Sequence, residues 1–286
     1  MSIPSRVVTR RAHVKIELDE GKLPAKRKIS PQKTKPQKIK PAKTLKIEKS
    51  EYFDPQPLNW EELYENIREM RLKQDAPVDS MGCQKCYSES ATEAERRFQI
   101  LMALLMSSQT KDEINSAAMI RLNERFESFS ASKAAAADET ELGQIIKPVG
   151  FYKTKAKNII KVGKICNETY SGDIPDTIEG LTALPGIGPK MGYLTLQCAW
   201  GKSHGIGVDV HVHRICQRLK WTKAPKNPEA TRAQLEAWLP KDRWSEVNSM
   251  LVGFGQQICS ARAPKCGECL NNTLCPKYFG GEKKKK

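Results

Sequence analysis

Leu184-Pro185-Gly186-Ile187-Gly188-Pro189-Lys190 is the stretch on which the reading of this chain turns. Two glycines one residue apart tolerate positive φ and leave their backbone N–H groups uncovered, and Pro189 suits the first turn of a helix, where its missing N–H costs nothing. The turn lies between two helix-like segments, Thr177 to Leu184 and Met191 to Trp200. It therefore offers amides, and the partial positive charge of a helix N-terminus, to an anion such as a phosphate. An isolated Gly-x-Gly reads equally well as an ordinary tight connection; Leu-Pro ahead of it and Pro-Lys behind it favour the anion site.

Outward from the hairpin the apolar spacing is helical. Phe98, Leu101, Met102 and Leu105 fall at i, i+3, i+4 and i+7, and Trp244, Val247, Leu251 and Phe254 repeat a similar stripe. Further helices are expected at Leu58 to Lys73, Asp112 to Phe126, Lys155 to Tyr170, His211 to Leu219 and Thr231 to Leu239. No run alternates as a strand would, and no internal repeat is visible. An all-α fold follows. The 286 residues suffice for one large or two small domains that fold without disulfides. No apolar run approaches the roughly 20 residues of a membrane span and no secretory signal is present, so a soluble, intracellular protein with no membrane partner is expected.

The net charge of +15 invites a nucleic-acid reading, but its distribution matters more than its size. Residues 1–50 hold 15 Lys and Arg against 4 Asp and Glu, and Glu282 to Lys286 hold 4 against 1; the remaining 231 residues are balanced at 29 against 28. The first 50 residues, rich in Lys, Pro, Ser and Thr and nearly free of aromatics, are expected to be a disordered basic tail, because they bury too little to offset their ordering entropy. Residues 281–286 form a second basic tail. Lys26-Arg27-Lys28 and the Lys-Pro run to Lys43 suit nuclear import or nonspecific DNA contact, and Arg6, Arg10 and Arg11 suit a mitochondrial presequence; a solvated basic linker is the plainer alternative. Such tails hold a polyanion, but they cannot select a base or run a reaction.

Four of the nine cysteines, Cys259, Cys266, Cys269 and Cys275, lie within 17 residues. In a chain without a secretion signal this crowding reads as metal or cluster ligation, and four thiolates suffice for either one zinc ion or a [4Fe-4S] cluster. Cys83 and Cys86 form a C-x-x-C with no second pair nearby, either a metal site or incidental. Cys166, Cys198 and Cys216 sit in apolar or helical surroundings, where a buried thiol is the default.

The hairpin lysine and the spacing Cys259-x6-Cys266-x2-Cys269-x5-Cys275 together resemble the helix-hairpin-helix DNA glycosylases, specifically the endonuclease III family in its eukaryotic type, over roughly Glu61 to Tyr278. The resemblance implies that Lys190 attacks C1′ of a damaged nucleotide and that Asp209, 19 residues downstream in Val208-Asp209-Val210-His211, assists. Taken singly, Lys190 reads as a phosphate contact and Asp209 as a helix cap; only their joint placement reads as a reacting pair. A free lysine titrates near 10.4, so holding it neutral at pH 7 costs roughly 4 to 5 kcal/mol. Desolvation and a helix N-terminus both reduce that cost. Asp209 works against it as an anion, but could take up the proton or stabilise the cationic sugar.

The rest is implied by the same resemblance. The cysteines carry a [4Fe-4S] cluster that acts as a structural staple, and Arg262 and Lys265 inside its first interval reach phosphates or remain solvated surface charges. Gln109, within Leu105-Met106-Ser107-Ser108-Gln109-Thr110-Lys111-Asp112, fills the gap left by an extruded nucleotide. Phe151, in Val149-Gly150-Phe151-Tyr152, either intercalates opposite it or is ordinary core. Gly186 and Gly188 contact the backbone. Val210 stands where threonine is usual and Gly192 where alanine is usual, departures expected to bear on packing around Asp209 and the second hairpin helix. Two helical lobes flank a DNA-binding cleft: a six-helix barrel with the helix-hairpin-helix over 93–202, and a cluster lobe from 58–92 plus 203–280. The expected activity is a bifunctional DNA N-glycosylase and AP lyase of base excision repair, a monomer acting on oxidised pyrimidines in double-stranded damaged DNA, in the nucleus and also the mitochondrion. An adenine-removing branch shares the cysteine pattern but usually lacks this lysine. A noncatalytic DNA-binding module is the alternative of a different class.

Overall fold

The structure, a computed structural model, describes residues 56–277. The tails at 1–50 and 281–286, with the targeting signals read in them, lie outside those residues. Among the described residues there are twelve α-helices and no strand.

Helix α1 (Trp60–Met70) is amphipathic: Trp60, Leu63, Tyr64 and Ile67, spaced i, i+3, i+4 and i+7, are its buried residues. It is shorter than the expected Leu58 to Lys73. Leu58 and Leu72 are exposed, and Arg71 turns inward, its guanidinium donating to Asp79 at 2.5 Å and Gln257 at 2.8 Å. Asp79 belongs to the short α2 (Pro77–Met81). Helix α3 (Glu93–Ser107) opens on a capping box, in which the Glu95 N–H donates to Thr92 Oγ1 and the Thr92 N–H to Glu95 Oε2 at 2.9 Å. Every residue from Phe98 to Met106 is buried, so α3 is enclosed on all sides.

Around it lie α4 (Asp112–Phe126), α5 (Ala131–Ala136), α6 (Glu139–Ile145), α7 (Tyr152–Thr169), α8 (Ile178–Thr182) and α9 (Pro189–Trp200). Their apolar faces and α3 share one core. Helix α4 spans the expected range, and the other predicted helices agree to within about three residues at each end. Helices α2, α5 and α6 escaped the sequence reading because five to seven residues are too few to display a 3.6-residue period.

A second core gathers α1, α10 (Val210–Arg218), α11 (Pro228–Trp238) and α12 (Trp244–Gln257). It is rich in aromatics: Trp60 and Trp238 lie 5.3 Å apart edge to face, and Trp221 packs at 5.8 Å from Trp238 and 6.1 Å from Tyr64. Helix α2 contacts both α4 and α12 and so touches both groups of helices. The 201–209 connection runs back along α9, where Gly207 rests on the Leu194 side chain with no room for a Cβ and its carbonyl accepts from Asn248 Nδ2 at 2.6 Å.

Candidate active site and neighbouring loops

The hairpin forms between α8 and α9. Thr177 caps α8, its Oγ1 accepting the Gly180 N–H at 3.2 Å, and the Ile187 N–H donates to the Leu184 carbonyl at 3.2 Å. Gly186 has φ +84°, and a Cβ there would lie 2.5 Å from Asn158 Nδ2. Gly188 is different. As N-cap of α9 it is extended, with φ −99°, so its backbone suits any residue, and of the two glycines that tolerate positive φ only Gly186 adopts it. A Cβ on Gly188 would meet open space, and its absence keeps the α9 N-terminus uncovered. Pro189 occupies the first helical position.

Lys190 is the second residue of α9, half-buried, and makes no hydrogen bond or ion pair among the described residues. Asp209, also half-buried, is the N-cap of α10: its Oδ1 accepts the Val212 N–H at 2.8 Å. Both charges act on His211, as does that of Asp112, the first residue of α4. Lys190 in turn acts on Asp112. Three helix N-termini, those of α4, α9 and α10, therefore bring these four groups into one neighbourhood. Lys190 also lines an open cleft with Ile206, Val208, Asn227, Pro228 and Glu229.

Asp112, His211 and Gln256 are site residues that sequence reasoning missed. Burial pushes the Asp112 carboxyl above the usual carboxylate range, although Gln256 Nε2 donates to its Oδ2 at 2.7 Å. Burial also lowers the His211 imidazole, opposed by Asp209 and supported by Arg214, whose guanidinium lies 3.3 Å from Nδ1. Asp112 and His211 both stood inside motifs already singled out, Asp112 at the end of the Gln109 segment and His211 at the end of Val208 to His211. The two departures from the family pattern are benign. Val210 is 69 % exposed, and Gly192 leaves room for Ile178, whose Cδ1 would be 2.6 Å from a Cβ.

Gln109 and Phe151 are brought together. Gln109 is exposed with φ +51° in the α3–α4 loop, and Phe151 is exposed with φ +56° as N-cap of α7. Phe151 is thus an aromatic standing in solvent, not core. Left-handed backbone at a non-glycine residue costs roughly 1–2 kcal/mol, so both tips must be held by their surroundings. Gly150 supplies the close approach: a Cβ on it would come within 2.6 Å of the Gln109 carbonyl oxygen.

Cys259, Cys266, Cys269 and Cys275 are all half-buried and line one pocket with Leu219, Phe254, Ile258 and Pro264. The loop has one 3-10 turn, Cys266–Glu268, and little else of its own. Burial raises the Cys269 and Cys275 thiols, and the neighbouring cysteines raise them further. Arg218 donates to Cys259 Sγ at 3.2 Å and to the Ser260 carbonyl at 2.7 Å. Four mutually interacting thiols beside a guanidinium are a donor set fit for a metal group of net negative charge, although no three His, Cys, Asp or Glu side chains among the described residues close on one point as a single-ion site. Arg262 and Lys265 are exposed, and Lys265 lies 3.7 Å from Glu268. Burial pushes Cys83 up to about 12 and Cys86 up to about 11, so this C-x-x-C holds neutral thiols against α3. Cys166 and Cys216 are buried as expected, and Cys198 is half-buried.

Known proteins resemble this chain in sequence and in fold. The HhH-GPD superfamily of base excision DNA repair proteins matches residues 102–241. The chain is 51 % identical over 222 residues to endonuclease III-like protein 1 of Gallus gallus, covering 77 % of this chain and 78 % of that one. It is 48 % identical over 229 residues to the chloroplastic endonuclease III homolog 1 of Arabidopsis thaliana, covering 78 % of this chain and 60 % of that one. Among solved structures, a trapped endonuclease III–DNA covalent intermediate superposes with a TM-score of 0.64 at 26 % identity, over 76 % of this chain and 95 % of that one. The chain belongs to the endonuclease III family and is a helix-hairpin-helix DNA glycosylase of base excision repair.

Proposed function

We propose that the protein is a bifunctional glycosylase and AP lyase that removes oxidised pyrimidines from duplex DNA through Lys190. The observation that carries this reading is a lysine with no hydrogen-bond or ion-pair partner among the described residues, half-buried at a helix N-terminus, in the same neighbourhood as two carboxylates and an imidazole. Its Nζ attacks C1′ as the C1′–N bond to the base breaks, and the base leaves with the bonding electrons and a proton. The attacking amine must shed a proton, and Asp209, whose charge acts with that of Lys190 on His211, is assigned as its acceptor. Its Oδ1 is held by the α10 amide, so the carboxylate meets the developing positive charge without reorganising. Ring opening leaves a Schiff base between Nζ and C1′. Loss of a C2′ proton then expels the 3′ phosphate by β-elimination, and water releases the lysine.

The DNA backbone would rest on the uncovered α9 N-terminus and the turn at Gly186. Gln109 and Phe151, adjacent and exposed, would enter the duplex where the nucleotide leaves it, and Arg262 and Lys265 would reach phosphates from the cysteine loop. Cys259, Cys266, Cys269 and Cys275 would hold a [4Fe-4S] cluster, which when bound would supply covalent bracing to a loop with one 3-10 turn of its own. The protein would act as a monomer in the nucleus and also the mitochondrion.

A panel of lesion-bearing duplexes tests this reading. Thymine-glycol DNA should lose its base and be nicked on the 3′ side in one incubation, whereas base release without a nick would contradict it. Asp209→Asn keeps the α10 cap, since Asn caps as well as Asp. Its thermal stability should stay within about 0.5 kcal/mol of the parent while base release slows by about 10²- to 10⁴-fold, the usual scale for a group that handles a proton or charge in the transition state.

A further inference from the structure

The exposed tips Gln109 and Phe151 belong to different loops, and what joins them is one buried cation. Lys155, in the first turn of α7, is 5 % exposed. Its Nζ donates to the Met106 carbonyl at 2.7 Å, the Ser108 carbonyl at 2.6 Å and Thr110 Oγ1 at 3.3 Å. Thr110 Oγ1 passes the link on by accepting the Gly150 N–H at 3.1 Å. One ammonium thereby spends all three N–H groups on the end of α3 and the Gln109 loop, and reaches the residue next to Phe151 through a single hydroxyl.

No carboxylate among the described residues pairs with Lys155; the carbonyls at the negative end of α3 stand in for one. Burial pushes its amine down to about 8, the mark of a charge held at a cost. A stability-optimised core would place an apolar side chain here. The two residues that this cation brackets, Gln109 and Phe151, are both non-glycine residues at positive φ.

We propose that Lys155 is a positioning residue that locks Gln109 and Phe151 into one rigid two-pronged element, so that both enter the duplex in register when the nucleotide is extruded. This rests on the reading of Gln109 and Phe151 as the inserting residues. Lys155 touches no DNA and acts only through the two loops.

The test is single-turnover base release from thymine-glycol duplex by full-length protein, for Lys155→Met and Lys155→Arg, each made in the parent and in a Gln109→Ala/Phe151→Ala background. The expected result is that Lys155→Met slows the parent by about tenfold or more, the scale of losing hydrogen bonds to a charged group. The same change slows the doubly truncated background by less than about twofold, since residues acting as a unit are not additive. Lys155→Arg, which keeps the charge and the donors, recovers most of the rate. Equal slowing in both backgrounds would make Lys155 a stability residue and overturn the proposal, as would no slowing in the parent. A double truncation as fast as the parent would instead sink the inserting role itself, which separates failure of that reading from failure of this one. Should Lys155→Met not fold, Thr110→Val cuts the relay to Gly150 while leaving both carbonyl contacts of Lys155, and the same background comparison decides.

Discussion

The hairpin that presents Lys190 and the loop that carries the four cysteines both announce themselves by spacing, yet they are held in opposite ways. The hairpin is fixed by backbone: a threonine cap on α8, a glycine at φ +84° against Asn158, and a proline opening α9. The cysteine loop has a single 3-10 turn, four half-buried thiols and an arginine that grips its carbonyls. The first region is preorganised by packing and needs nothing added. On the function proposed above, the second would depend on a [4Fe-4S] cluster for its bracing.

The largest expected effect follows from that contrast. Removing iron by oxidation and chelation, or Cys269→Ser, should strip the loop of its bracing and expose the edge of the aromatic core beside it, because a structural metal contributes its binding free energy to folding. Melting should drop by well over 5 °C, with amide exchange rising first around residues 258–275, while the amides of 184–190 keep their protection. Uniform loss of protection in both regions would erase the distinction.

The two hairpin glycines give the next effect. Gly186→Ala places a side chain at positive φ and against Asn158, and should cost about 1–3 kcal/mol in stability with a matching loss of DNA affinity. Gly188→Ala should leave stability within about 0.5 kcal/mol, since its backbone is extended and its surroundings open, yet weaken DNA binding by covering the α9 amides. Equal stability losses would mean that Gly188 serves conformation after all.

Smallest is a pH effect within the cleft. Asp112 titrates above its ordinary value of 3.8 in the folded protein, so the native state binds its proton more tightly than the unfolded chain does. Its contribution to stability is present below that ordinary value and is lost as pH rises through the raised one; at neutral pH the buried carboxylate is a cost. Asp112→Asn retains an acceptor for Gln256 and should therefore melt higher than the parent at pH 7, with the difference shrinking towards pH 4. A difference that grows on acidification would reverse the sign and refute the burial argument.

The reach of sequence reasoning follows the same divide. Periodicity found the long helices, and cap and turn residues found the hairpin, because those signals are local in the chain. Gly186 and Gly188 look alike in the sequence, and what separates them, a positive φ at one and an extended backbone open to solvent at the other, is set by the surroundings. Lys155 and Gln256 gave no signal, since a lysine on a helix and a glutamine near a helix end look solvated until the packing shows otherwise. Asp112 lay inside a quoted motif, but its importance depends on α12 and α9 arriving beside it. Phe151 could be read as core or as a protruding ring, and only the exposure of its loop decides.

The central claim concerns one atom, the Nζ of Lys190, and borohydride addresses it directly. Incubated with thymine-glycol or abasic duplex and reductant, the parent protein should yield a covalent protein–DNA adduct on denaturing gels, and Lys190→Ala should yield none while still binding the duplex. An undiminished adduct in Lys190→Ala would place the Schiff base on another amine and contradict the account.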